Sequence, residues 1–365
     1  MPLFSNERSR LLTRLLTRID RLTRLFPAAL SAAALTALGL GIAASGSQAS
    51  ELNVYSARHY DSDTALYDAF TTATGIEVNI LQGDSDQLIA RIQREGAASP
   101  ADILLTVDVA RLWRAEEAGV LAPVQSETLE RRIPEHLRHP DGLWFGFSTR
   151  ARLIFYKPGA VDPATIATYE SLADPAHRGR ICIRSSTNPY NQSLIASMIA
   201  AHGAAATETW AKGIVANLAR APQGGDTDQL KALAAGECDI AVANHYYYLR
   251  MTISADPAER AMAEQIAVVL PNQGDRGTHV NIGGAGLVKG APNTANAVRF
   301  LEYLASDAAQ TLFAAGNYEF PVVPGAELDP TLDSLEGMRT DPLNVSELGR
   351  HNAEAVRIAD RAGWR

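Results

Sequence analysis

The 365-residue sequence offers little from which to build a familiar catalytic centre. It has two cysteines and eight scattered histidines. It has no G-x-S-x-G, H-E-x-x-H or C-x-x-C stretch, so a nucleophile elbow, a zinc-protease helix and a redox pair are excluded. Charged residues are modest at 20%, while hydrophobic residues reach 46%, a composition that excludes disorder, collagen and coiled coil. The chain is long enough for two domains with real cores. Of 33 basic and 41 acidic residues, six Arg, Glu7 and Asp20 fall in the first 49 positions. The remainder therefore carries 27 basic against 39 acidic residues, a net −12. A body of that charge, with no local Lys/Arg run, is a poor nucleic-acid binder.

The N-terminus reads as an address. Arg8, Arg10, Arg14, Arg18, Arg21 and Arg24 precede an apolar stretch from Phe26 to about Ala44. Small residues at Ser47 and Ala49 then fit a signal-peptidase site, with Ser50 as the first mature residue. The stretch is close to membrane-spanning length, but it is rich in Ala and Gly, which favours cleavage over anchoring. It has no preceding Arg-Arg pair and no following Cys, so general secretion without a lipid anchor is expected. Both cysteines, Cys182 and Cys238, lie in the exported part, where disulfides persist. Each adjoins a strand-like run, so a bridge is feasible if those strands are neighbours. Two buried thiols are the alternative.

The mature chain alternates short apolar strands with amphipathic helices. Strands are expected at Leu52–Ala57, Ile76–Ile80 and Asp102–Thr106, and helices at Asp63–Thr72 and Asp86–Glu95. This βαβαβ order implies a largely parallel sheet with helices on both faces. A similar pattern returns after Asp228, ending near Gly236 before Asp239-Ile240, as two related lobes would produce. The β-prone runs Trp144–Tyr156 and Val280–Val288 suit crossings between lobes. The glycines of the second run sit inside a strand pattern, which argues against dinucleotide binding.

Tyrosine is the unusual residue. There are eleven, with Tyr246, Tyr247 and Tyr248 contiguous. The strand Ile240–Ala243 ends just before them. Tyr190 follows a strand at Ile181–Ile183 and precedes a helix at Leu194–Ile199. His59-Tyr60 follows the first strand and precedes a helix beginning near Asp61 or Ser62. All three places are strand carboxyl ends, where open α/β sheets bind ligands and helix N-termini favour anions. Clustered phenolates suit a hard trivalent cation such as Fe(III), which drives off the phenolic proton. An organic ligand stacked on the rings, or ordinary packing of each tyrosine, fits the same spacing. Spacing alone leaves all three readings open.

Five stretches together carry a family resemblance: Val54–Tyr60, Ile181–Gln192, Gly224–Asp228, Ala243–Tyr248 and Ala305–Pro321. The sequence resembles the ferric-iron-binding extracytoplasmic proteins of iron ABC transporters, a branch of the periplasmic binding proteins, over nearly all of residues 51–365. The resemblance implies a type II two-lobed α/β fold, each lobe a mixed, mainly parallel sheet flanked by helices, with hinge strands between. The expected division is 1–49 signal peptide, 50–148 plus about 273–320 first lobe, and about 149–272 plus 321–365 second lobe. It implies Fe(III) held by His59 and Tyr60 from the first lobe and by Tyr190, Tyr246 and Tyr247 from the second, with Tyr248 packing. His245 stands where the family leads one to expect a small residue such as Thr. No Glu is placed to serve as a ligand. Four phenolates on Fe(III) leave a net −1, so Arg58, Arg150 and Arg250 are expected beside them, and Arg152 also flanks the sites. A Cys182–Cys238 disulfide, a monomer in the periplasm, an ABC permease as partner and no enzymatic activity complete the expectation. The competing reading is the same fold binding an organic cation such as thiamine or a polyamine.

Overall fold

The computed structural model describes residues 50–58 and 60–365. The expected export segment, its cleavage point and His59 lie outside the described residues. The elements run β1 (Glu51–Ser56), α1 (Asp63–Thr74), β2 (Glu77–Gln82), α2 (Ser85–Glu95), β3 (Ile103–Thr106), α3 (Val109–Glu117), β4 (Leu121–Ala122) and α4 (Glu127–Arg132). They continue with β5 (Phe145–Tyr156), β6 (Ile181–Cys182), α5 (Pro189–His202), α6 (Ala204–Ala216), α7 (Asp226–Ala235), β7 (Ile240–Asn244), α8 (His245–Thr252), α9 (Pro257–Ala263) and β8 (Ala267–Val269). Last come β9 (Val280–Val288), α10 (Thr294–Leu304), α11 (Asp307–Asn317), β10 (Phe320–Pro321), α12 (Ser346–Arg350) and α13 (Asn352–Ala362). Among the described residues no helix is long and apolar enough to cross a membrane.

The strands order as β2-β1-β3-β9-β5-β7-β6, with β4 on β9 and both β8 and β10 on β5. β1 pairs in parallel with β2 and β3, as the opening βαβαβ pattern requires. β9 then runs antiparallel to β3 and to β5. The sheet changes character within β5: residues up to Ala151 pair with β9, and residues from Arg152 pair with β7 and β8. β5 is thus the crossing strand, buried along its length except at Tyr156. β9 does not cross, contrary to the expectation for Val280–Val288. It keeps to β3, β4 and β5, and the chain crosses ahead of it, between Val269 and Val280. Gly284 and Gly286 let neighbouring carbonyls approach: a Cβ there would lie 2.6 Å from the oxygens of Phe145 and Leu143.

Helix ends follow local chemistry. Gly75 and Gly236 adopt the left-handed conformation and stop α1 and α7, as their positions in the sequence suggest. Asp84 and Asp108 cap α2 and α3. Cys182 at the end of β6 is bonded to Cys238 just ahead of β7. The bridge joins the roots of the two segments that lead into the tyrosines.

Candidate functional site

β7 is buried throughout and ends at Asn244, after which the chain turns directly into α8. Tyr246 and Tyr247 therefore lie in the first helical turn. Tyr246 is fully buried, and its ring lies 4.4 Å from that of half-buried Tyr247. The N-terminus of α5 is built similarly. Asn188 accepts from the Tyr190 N–H at 2.9 Å, and Pro189 occupies the first helical position. The helix starts five residues ahead of the expected Leu194, so Tyr190 belongs to its first turn rather than to the preceding loop. Apolar periodicity identified the helix body, whereas its start is set by Asn-Pro capping.

These two turns meet. The Tyr246 hydroxyl donates to the Tyr190 hydroxyl at 3.3 Å across 56 positions of sequence. Tyr60 joins them from the end of β1. The Arg250 guanidinium lies 5.5, 5.3 and 5.9 Å from the ring centroids of Tyr60, Tyr246 and Tyr247. All four candidate tyrosines thus converge. Tyr248 turns away: its ring packs on Phe155 and its hydroxyl reaches the Ile266 carbonyl. Burial pushes the Tyr246 phenol well above its ordinary pKa and raises that of Tyr190, and neighbouring phenols add to both shifts. With nothing bound, both are neutral at pH 7.

Each expected arginine lies near the rings, by a different route. Arg58 is buried 4.9 Å above Tyr60. Arg150 is buried in β5, where its charge acts on Tyr60, Tyr246 and Tyr190. Arg184 covers Tyr190 at 5.5 Å. Arg152 braces both helical turns, donating to Asn191 at 2.6 Å, Asn244 at 3.0 Å and Asp226 at 3.0 Å. His245, the departure noted in the sequence, is a buried neutral link. It accepts from the Ala151 N–H at 3.1 Å and donates from Nε2 to the Tyr318 carbonyl at 2.7 Å. Burial lowers its pKa to about 4.

Two acidic features were not foreseen. Asp84 and Asp108 line a crevice of about 450 Å³ beside Tyr190, so carboxylates do accompany that tyrosine. Both are engaged in capping, and Asp108 also accepts from Asn281 and Ser193. Glu319 is fully buried between Arg58 and Arg150. Burial would raise its pKa, but the two guanidinium charges outweigh burial and bring it down to about 2. Its signal in the sequence is slight: one Glu between Tyr318 and Phe320 in an apolar closing segment. Among the described residues no group of three or more His, Cys, Asp or Glu could hold a metal. Among the described residues, the oxygens that converge here are phenolic.

Residues 65–340 match the model of the bacterial extracellular solute-binding proteins. The chain belongs to that family. Among its relatives in this family is iron uptake protein A1 of Synechocystis sp., 53% identical over 86% of this chain and 88% of its own length. A solved structure of the Trichodesmium protein IdiA (FutA), in complex with iron and citrate ligands, is 52% identical. It superposes with a TM-score of 0.84 over 86% of this chain and all of that one. The ferric binding protein of Campylobacter jejuni follows at 40% identity and a TM-score of 0.81, over 86% of this chain and all of its own. The fold is the two-lobed type II form of the periplasmic solute-binding proteins, a mixed α/β architecture in which β5 runs from one sheet into the other.

Proposed function

We propose that this protein is an extracytoplasmic receptor that captures Fe(III) between two lobes and delivers it to an ABC permease. The ligands in this reading are Tyr60, Tyr190, Tyr246 and Tyr247, with His59 as the fifth. The observation that carries it is the convergence of four phenols: the Tyr246–Tyr190 contact at 3.3 Å, with Tyr60 and Tyr247 against the same guanidinium as Tyr246. A neutral phenol is a poor ligand until a strongly charged ion displaces its proton, which a hard trivalent cation does. Four phenolates on Fe(III) carry a net −1, and the surrounding arginines suit that charge. An organic cation displaces no phenolic proton and would meet those arginines uncompensated, so the iron reading is favoured.

In this reading residues 50–148 and about 273–320 form the first lobe, and about 149–272 and 321–365 the second. Closure of the lobes brings Tyr60 onto the other three tyrosines. The protein acts as a periplasmic monomer after cleavage near Ala49 and catalyses no reaction. Calorimetry of Fe(III) loading at pH 7, in buffers of different ionisation enthalpy, tests the ligand set. Release of close to one proton per phenolate is expected, with affinity falling as pH drops. Negligible proton release would refute tyrosinate ligation.

A further inference from the structure

The segment from Asn317, which ends α11, to Phe320, which opens β10, contacts the strand-end regions that supply Tyr60 and Tyr246. The Tyr318 carbonyl accepts from His245, the residue directly before Tyr246, and Phe320 stacks on the same imidazole at 4.7 Å. Glu319 accepts from Arg58 NH1 at 3.1 Å, from Arg150 NH2 at 3.1 Å and from Asn317 Nδ2 at 2.9 Å. Arg58 also forks onto Asp63, through Nε at 2.8 Å and NH2 at 2.9 Å. All three nitrogens of its guanidinium are therefore held, which fixes the group that lies over the Tyr60 ring. Such a fork-to-carboxylate geometry sets orientation as well as charge.

The slot for these groups comes from a glycine that the ligand set leaves unexplained. A Cβ on Gly283 would lie 2.6 Å from Ser148 Oγ, 2.8 Å from Arg150 NH2 and 2.9 Å from Arg58 NH1. Both guanidinium groups thus pack on the bare backbone of β9. Two cations buried side by side need a shared anion, because Asp63 reaches only Arg58.

We infer that Glu319 is a positioning residue for iron capture: through Arg58, seated on Gly283, it holds Tyr60 where the second-lobe tyrosines can meet it. This rests on the ferric reading above. The test is Fe(III) affinity, measured by citrate competition, for Glu319→Gln in wild-type and Tyr60→Phe backgrounds. Glu319→Gln should weaken binding roughly 10- to 100-fold in the wild type, the usual effect of losing a supporting group behind a metal ligand. In Tyr60→Phe most of that loss should disappear, and the visible band should shift only where Tyr60 is present. A general structural role would weaken both backgrounds equally, and that result, or no loss in either, overturns the inference. Gly283→Ala provides a second variant should Glu319→Gln fail to fold. Its methyl displaces both guanidinium groups without changing any charge, and the same dependence on Tyr60 is expected, with its absence counting against the inference. If Tyr60→Phe weakens iron binding while neither variant couples to it, only this inference fails. If Tyr60→Phe changes neither affinity nor colour, Tyr60 is no ligand and both readings of that residue fall.

Discussion

The two sides of the tyrosine cluster are anchored by different physics. Tyr190 and Tyr246 sit in first helical turns at the ends of β6 and β7, within covalent and hydrogen-bonded surroundings. Asn188 caps one turn, Arg152 braces both through Asn191 and Asn244, and the Cys182–Cys238 bridge ties their roots together. Tyr60 sits in a short connection after β1, three residues ahead of α1, with a buried ion-pair network beside it. The Tyr190 and Tyr246 side is anchored by a cap, a shared brace and a covalent bridge, whereas the Tyr60 side lies against buried charges. In the receptor reading proposed above, this asymmetry suits closure, with one half-site braced within its lobe and one arm that meets it.

The largest expected effect breaks the Tyr190 and Tyr246 side at its root. Replacing Cys182 and Cys238 by Ser should cost about 4 kcal/mol of stability in the chain-entropy model. Thermal melting of the apo form measures it, and iron affinity of the protein that remains folded should change little. Next, Tyr246→Phe or Tyr190→Phe should lower Fe(III) affinity more than ~100-fold, beyond the effect of a supporting group, while the apo melting temperature barely moves. Equal affinity in Tyr190→Phe, Tyr246→Phe and Tyr248→Phe would erase the distinction between ligands and packing residues.

Acid sharpens the comparison through His279, which lies just before β9 and opposite Arg152. Its backbone N–H donates to the Tyr169 hydroxyl, and its carbonyl accepts from the Arg152 N–H. Burial, reinforced by the charges of Arg152 and Arg276, lowers its pKa from 6.5 to about 3. A lowered folded-state pKa means that the contribution is complete above pH 6.5. It is lost as pH falls toward 3, because the unfolded chain takes up the proton first. Near pH 5 the loss should be about 2 kcal/mol, read from denaturation midpoints of the apo form. His279→Asn should flatten that part of the pH profile. The smallest effect belongs to Tyr248→Phe, which should keep colour and affinity and cost at most ~1 kcal/mol.

Much of this was readable in the sequence. The βαβαβ opening, the crossing strand β5 and the strand-end positions of the tyrosines follow from apolar alternation and from Gly and Asn punctuation. Those signals are local. What escaped the sequence depends on partners far apart in the chain. Glu319 meets Arg58 at a separation of 261 residues and Arg150 at 169. Arg152 was visible as a flanking charge, but its grip on Asn191 and Asn244 appears only once β5, α5 and β7 are assembled. The Val280–Val288 run was mistaken for a crossing because a buried central strand and a crossing strand are both long, apolar and β-prone. Which one forms is decided by the neighbours, here β3 and β4.

The most direct measurement is the visible spectrum of the Fe(III)-loaded protein. Phenolate-to-iron charge transfer should make it orange to red, with the band weakened or shifted in Tyr246→Phe and Tyr190→Phe and unchanged in Tyr248→Phe. A protein carrying one Fe(III) per chain with no visible band would contradict the account.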